Sequence, residues 1–267
     1  MLLFTNIQII LLYSFVLIWF IPKYHSCEST EDTHHCVKPK IGAEGCEGPD
    51  MQGPTMALVP YNKNNDVLSI FNQPEREFNF AGQKLKISQD WNKLGVAAVV
   101  WDAAIVLCEY LEAGNVDLDK KNVIELGAGS GIVGIVSTLL GAHTTITDLE
   151  KAIPYLTEVV NTNLPKRFEG QFTVQALDWR ENLESRTKTY DVILGADIIY
   201  IEETFPDLLK TIEHLSDENT LVYISCRIRY TRDSNFLQML SEVFDLKKVH
   251  VDRSRDITIY KGKKKTK

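Results

Sequence analysis

The chain has no excess of positive charge. Its 267 residues include 29 Lys or Arg and 36 Asp or Glu, a formal charge of −7. That balance argues against a long nucleic-acid track, so nucleic acid is not expected as a partner. The one basic cluster, Lys261-Gly-Lys-Lys-Lys-Thr-Lys267, reads as a solvated C-terminal tail. Cysteine is scarce and scattered. Cys27, Cys36, Cys46, Cys108 and Cys226 form no C-x-x-C pair and join no close His/Cys quartet, so no metal is expected. Cys108 and Cys226 sit at the ends of apolar stretches and read as buried free thiols. No internal repeat is present. An apolar content of 44% is ordinary for a globular chain, and the length suits one large α/β domain with something added.

Glycine is present where it carries the most meaning. In Asn122-Val-Ile-Glu-Leu-Gly-Ala-Gly-Ser-Gly131, apolar Val123, Ile124 and Leu126 predict a buried parallel strand running into three glycines. Glycines there let the backbone turn and approach a ligand with no Cβ in the way. Ile132 to Leu140 predicts a helix whose first N–H groups face the same ligand. About 20 residues past the loop, Thr144-Thr-Ile-Thr147 predicts a second strand ending in Asp148, an acid placed to take two ribose hydroxyls. The pattern describes a nucleoside pocket at the edge of an open α/β sheet.

Two nucleosides compete. Gly129-Ser-Gly131-Ile-Val-Gly134 fits the dinucleotide fingerprint. Glu125 favours the other reading: a carboxylate at the loop mouth would repel a pyrophosphate and attract a ligand carrying an ammonium and a sulfonium, as S-adenosylmethionine does. Further on, Phe172 to Leu177 predicts a third strand ending in Asp178-Trp179. The acid could accept an adenine amine and the indole cover the ring, unless Trp179 is simply half-buried at a strand end. Tyr190 to Ala196 predicts a fourth strand, followed by Asp197-Ile-Ile-Tyr200.

The run E-L-G-x-G-x-G resembles motif I of the class I, seven-β-strand methyltransferases. Asp197-Ile-Ile-Tyr200 resembles the D-x-x-Y signature of the methyltransferase-like protein-lysine methyltransferases. Trp91, Gly95-Val-Ala-Ala-Val-Val-Trp101-Asp102, Gly195-Ala-Asp-Ile-Ile-Tyr200-Ile-Glu-Glu-Thr-Phe205 and Cys226-Arg-Ile-Arg-Tyr230 are similar to the pattern of subgroup 21 of that family, and most of all to its branch acting on seventy-kilodalton heat-shock chaperones. The similarity runs from about Met56 to about Tyr260. It implies a Rossmann-like, doubly wound, mostly parallel sheet of seven strands with an antiparallel last strand, preceded by a hairpin and a helix. It also implies S-adenosylmethionine as cofactor and a protein substrate, a heat-shock chaperone, methylated by a cytoplasmic monomer. Carried over residue by residue, the cofactor falls to Trp101, Glu125, Gly127, Ala128, Gly129, Gly131, Asp148, Leu149, Asp178, Trp179 and Ala196. The acceptor lysine falls to Asp197 and Tyr200. A binding protein without catalysis and a dinucleotide oxidoreductase stay open beside it, the latter without a second substrate domain or an obvious Ser/Tyr/Lys set.

The remaining pattern agrees with alternating βα units. Glu77 to Ile87 predicts a hairpin turning at Gly82. Val96 to Leu111 predicts a helix with Trp101 and Asp102 inside; the resemblance implies that Trp101 lies against the methionine end of the ligand, and the alternative is plain helix core. Pro154 to Asn163, Phe205 to Leu215 and Asn235 to Phe244 predict helices; Thr220 to Ser225, Lys247 to Val251 and Ile257 to Tyr260 predict strands. Leu2 to Ile21 is apolar enough to span a bilayer, yet no Lys or Arg precedes it, so the positive start of a signal peptide is missing. Residues 22–55 read as an unstructured linker, residues 56–260 as the catalytic domain and 261–267 as the tail. The apolar run is an upstream extension before a family-like start at Met56, an anchor facing a cytosolic domain, or a cleaved signal peptide.

Overall fold

The computed structural model describes residues 73–266. The apolar segment, the linker, Cys27, Cys36, Cys46 and the expected start at Met56 lie outside the described residues. The first element is a hairpin of β1 (Glu75–Phe80) and β2 (Gln83–Ser88), paired antiparallel from Glu75↔Ser88 to Phe80↔Gln83. Its two turn residues, Ala81 and Gly82, both have positive φ (49° and 68°), the backbone of a tight two-residue turn matched to strand twist.

Seven further strands follow: β3 (Asn122–Leu126), β4 (His143–Asp148), β5 (Phe172–Ala176), β6 (Val192–Ala196), β7 (Leu221–Cys226), β8 (Phe244–Asp252) and β9 (Ile257–Lys264). They form one sheet in the order β5-β4-β3-β6-β7-β9-β8. All neighbours pair parallel except β9, which is antiparallel to both β7 and β8. The helices are α1 (Trp91–Leu94), α2 (Asp102–Glu112), α3 (Ile132–Leu139), α4 (Ile153–Asn163), α5 (Phe205–His214) and α6 (Thr231–Val243).

Strand alternation divides the core in two. Val123, Val192, Leu194 and Tyr223 pack with Leu107, Ile135 and Val159 under α2, α3 and α4. Ile124, Leu126, Ile193 and Ile224 pack with Leu208, Ile212, Phe236 and Leu240 under α5 and α6. Burial on both faces explains why the central strands read as near-continuous apolar runs. The hairpin docks on α4 through Asn163: its Oδ1 accepts the Lys86 N–H at 2.7 Å and its Nδ2 donates to the Lys86 carbonyl at 2.8 Å. Cys108 and Cys226 are buried and free, as their positions predict. Among the described residues, no helix is long and apolar enough to cross a membrane.

Two expectations need correction. Val96 to Leu111 is not one helix. Gly95–Ala98 is a single 3₁₀ turn, Val99 and Trp101 are extended, and α2 starts only at Asp102. The break is stabilised because Val100 finds partners elsewhere: its N–H donates to Gln89 Oε1 at 3.0 Å, and its carbonyl accepts from Arg76 at 2.7 Å. Trp101 therefore precedes the helix instead of lying inside it. Nor is residue 261 the start of a loose tail. β9 runs through Lys264 and is paired on both sides, with Gly262 opposite Val222 and Leu246 and buried against Phe244. A buried glycine leaves no apolar mark, so the inward alternation of this segment is invisible in a lysine-rich sequence.

Candidate active site

In the sheet, β3 is flanked by β4 and β6: the chain runs outward from β3 through β4 to β5, then crosses back to β6 on the other side of β3 and runs outward the other way. That is a topological switch point, where open α/β sheets leave a crevice outside the carboxyl ends of their strands. The glycine loop follows β3 at this point. Ala128 N–H donates to the Thr147 carbonyl at 2.9 Å, and Gly131 N–H to the Ala128 carbonyl at 2.7 Å. Gly131 caps α3 with φ 73°.

Asp148, the last residue of β4, closes one side. Its Oδ2 accepts the Gly129 N–H and its Oδ1 the Leu149 N–H, each at 2.7 Å. Both bonds orient the carboxylate and leave lone pairs on each oxygen. Burial raises its pKa above the usual carboxylate value, against the pull of these two bonds. Gly129 has φ 53°, and a Cβ there would come 2.9 Å from the Ala97 carbonyl oxygen. The 3₁₀ turn before Trp101 thus leans directly on the loop. Trp101 itself is tied back by its indole N–H to the Val96 carbonyl at 3.0 Å.

Trp179 comes to the other side. A Cβ on Gly127 would lie 3.4 Å from Cζ2 of Trp179 and 2.9 Å from Cγ2 of Ile198. The loop after β5 and the loop after β6 therefore converge on the glycines. Asp178 sits beside this indole, but Arg180 grips both its oxygens, with Nε at 2.8 Å and Nη2 at 2.5 Å. The Arg180 contact holds the Asp178 carboxyl below its usual range.

Glu125 does not stand at the loop mouth as expected. It shares a strand face with Val123, so it points under α3 and is 2% exposed. Its Oε2 accepts the Gly134 N–H at 2.8 Å. A Cβ on Gly134 would sit 2.6 Å from that oxygen, so this glycine serves a carboxylate contact and not a pyrophosphate. Burial pushes the Glu125 carboxyl up to about 8, with the charge of Asp148 adding to it.

At the end of β6, Ala196 pairs with Ser225, and Asp197 turns the chain with φ 54°. Asp197 N–H donates to the Ser225 carbonyl at 2.8 Å. Its carboxylate is held by Arg229, at 2.9 Å and 2.8 Å. Tyr200 is 45% exposed. Desolvation, then the carboxylates of Asp148 and Asp197, raise its hydroxyl pKa above the usual value. The residues named in advance thus come together as two neighbouring groups, Asp148 with the glycines and Trp179, and Asp197 with Tyr200. Arg229, Ile198 and Ala97 stood inside the quoted family motifs but were given no role. For Arg229 the signal was a cation just past the strand adjacent to β6.

The group fits S-adenosylmethionine on its own terms. A backbone cradle that a side chain would fill, an oriented carboxylate beside it and an indole at its rim match a ribose and a purine. A profile of the lysine methyltransferase family matches residues 79–243. Protein N-lysine methyltransferase METTL21A of Danio rerio is 54% identical over 211 residues, which cover 78% of this chain and 97% of that protein. EEF1A lysine methyltransferase 3 of Mus musculus is 41% identical over 70% of this chain and 81% of its own. Among solved structures, the T. thermophilus 16S rRNA N2 G1207 methyltransferase RsmC, in complex with AdoMet and guanosine, superposes with a TM-score of 0.56. The match covers 72% of this chain and 50% of that one at 13% identity, a likeness of fold.

Proposed function

The chain belongs to the lysine methyltransferase family and is an S-adenosylmethionine-dependent protein-lysine methyltransferase; from that premise we propose that its substrate is a seventy-kilodalton heat-shock chaperone, met in the cytoplasm. The chaperone assignment is supported by the subgroup pattern of Trp91, Gly95–Asp102, Gly195–Phe205 and Cys226–Tyr230. Membership removes the dinucleotide reading.

The proposed division of roles follows the two groups. Gly127, Ala128, Gly129 and Gly131 carry the cofactor on bare backbone, with Leu149 and Ala196 at the flanking strand ends. Asp148 takes the ribose hydroxyls and Trp179 covers the base, while Trp101 walls the methionine end. Asp178 contributes an acceptor beyond those used by Arg180, and Glu125 acts from beneath, holding α3 to β3. When bound, S-adenosylmethionine supplies the electrophilic methyl group.

The rest falls to Asp197 and Tyr200. A free lysine has a pKa of about 10.4, and an ammonium has no lone pair, so the site must receive the charged side chain and let its proton go. Asp197 accepts a hydrogen bond from the arriving nitrogen. Tyr200 shapes the slot by hydrogen bond or cation–π contact. One observation carries this reading: Ile198, the residue after Asp197, stands 2.9 Å from where a Cβ on Gly127 would lie, so the amine slot adjoins the cofactor cradle.

The test is a tritiated-methyl assay on cell lysate, with mass spectrometry of the labelled protein and Asp197→Ala as control. A labelled chaperone of about seventy kilodaltons is expected, with turnover lowered by about 10²-fold or more in the variant and S-adenosylmethionine affinity within about 1 kcal/mol. Label on EEF1A instead would move the substrate to the one in the name of the 41% identical relative.

A further inference from the structure

Asp197 raises a charge problem. The nucleophile is a neutral amine, yet a lone carboxylate beside an incoming lysine favours the ammonium, by about 1–3 pH units at contact range. The structure contains an answer. One guanidinium binds both Asp197 oxygens, Arg229 Nη1 to Oδ1 at 2.9 Å and Nη2 to Oδ2 at 2.8 Å. The Asp197 side chain is only 10% exposed and that of Arg229 34%, so the pair is shielded from solvent screening on one side.

Arg229 is itself held in place. Its backbone N–H and that of Tyr230 donate to Oδ2 of Asp233, at 2.8 Å and 3.0 Å. Asp233 lies in the first turn of α6 and is 3% exposed. The helix thus fixes the loop after β7, the loop fixes the guanidinium, and the guanidinium fixes Asp197. The other groups that face this pair are Asp233 of α6, whose charge also acts on Arg229 and which Arg232 approaches at 3.6 Å, Cys226 from β7, whose thiol is raised by burial and then by Asp197, and Tyr200 from the loop after β6, with Asp148 of β4 beyond it. Arg229 is the cation bonded to Asp197 itself.

We propose that Arg229 is a positioning residue for methyl transfer: it fixes the Asp197 carboxylate as an acceptor and cancels its charge, so the lysine arrives hydrogen-bonded and still gives its proton to water. The inference rests on the placement of Asp197 at the amine proposed above. A bidentate guanidinium occupies one lone pair on each oxygen, which leaves acceptor capacity for the lysine nitrogen.

The two halves of the pair should shift the pH profile in opposite directions. The experiment measures kcat and kcat/KM from about pH 6 to about pH 10, using the protein that the wild type labels in lysate as substrate. S-adenosylhomocysteine calorimetry on each variant reports an intact fold. In Arg229→Gln the carboxylate is uncompensated, so the alkaline midpoint should rise by about 1–2 units, and a loss of about tenfold or more at neutral pH should shrink at high pH. Arg229→Lys should restore the midpoint while kcat stays low, because one ammonium cannot grip both oxygens. Asp197→Asn leaves the guanidinium uncompensated, so its midpoint should fall while turnover drops, and this holds as a test even if Arg229→Gln fails to fold. Slow variants with unmoved midpoints would mean that Arg229 acts only in structure and would overturn the inference alone. Normal turnover in Asp197→Asn would remove Asp197 from the amine and overturn both readings.

Discussion

Replacing Glu125 with Gln should remove a pH dependence from the stability of the folded chain. Burial raises this carboxyl from its ordinary 4.5 to about 8. Below about pH 4.5 it is protonated in both folded and unfolded chains, and its full contribution is present. Between there and about 8 the folded chain keeps a proton that the unfolded chain has released, so stability falls by about 1.4 kcal/mol for each pH unit. The whole window amounts to about 5 kcal/mol, of which about 2 kcal/mol lies between pH 6 and pH 8. Gln is nearly the same shape. Its carbonyl can accept the Gly134 N–H that Oε2 now accepts at 2.8 Å, but its amide needs a buried acceptor, at a cost of about 1–3 kcal/mol. The variant should therefore be the less stable protein below about pH 5, match the wild type near pH 6, and be the more stable one by about 1–3 kcal/mol at pH 8. Urea unfolding of both proteins at several pH values reads this directly. Parallel stability profiles would refute the reasoning, because they would mean that Glu125 titrates alike in both states and is not buried under α3.

Asp148→Ala should weaken S-adenosylhomocysteine binding by about 1.5–3 kcal/mol for each charge-assisted bond lost, and unchanged affinity by calorimetry would displace Asp148 from the ribose. Gly129→Ala should cost about 1–2 kcal/mol for the left-handed backbone alone, with cofactor affinity falling further as the new Cβ forces the Ala97 carbonyl from the loop; a normal melting temperature and normal affinity would contradict the close approach. A chain starting at Met56 should be soluble, folded and active, since the described elements begin at Glu75. If residues 2–21 anchor the protein, the full chain will pellet with membranes while the shorter one stays in the supernatant, and an aggregated short form would sink the upstream-extension account.

Sheet and loop were readable because their determinants are local. Two buried faces write apolar runs into β3, β6 and β7, and a strand-to-helix turn with no room for Cβ writes glycines. What failed to show in the sequence depends on partners far along the chain. The break before α2 needs Gln89 and Arg76 to serve Val100, so helical spacing alone carried the expected helix through Trp101. β9 beyond Tyr260 depends on pairing with β7 and β8. The identity of Glu125 was read rightly as meaningful, but its direction was not: strand alternation places it with Val123, under a helix. Asp197 was legible from its motif and Arg229 stood in the quoted Cys226–Tyr230 pattern, whereas their contact was not legible, because the two are 32 positions apart in sequence and meet only through the parallel pairing of β6 with β7.

That pairing also explains why the turn at Asp197 can exist. A residue with a Cβ at φ 54° persists only where its surroundings over-determine it. Here three bonds do so, the N–H to the Ser225 carbonyl and the two carboxylate bonds to Arg229. Asp suits the position because a short polar side chain tolerates the left-handed region when it can hydrogen-bond locally. Removing the guanidinium would leave the backbone bond alone to hold the turn. The charge balance at the amine and the backbone geometry that aims the carboxylate are therefore a single constraint, set by the register of two neighbouring strands.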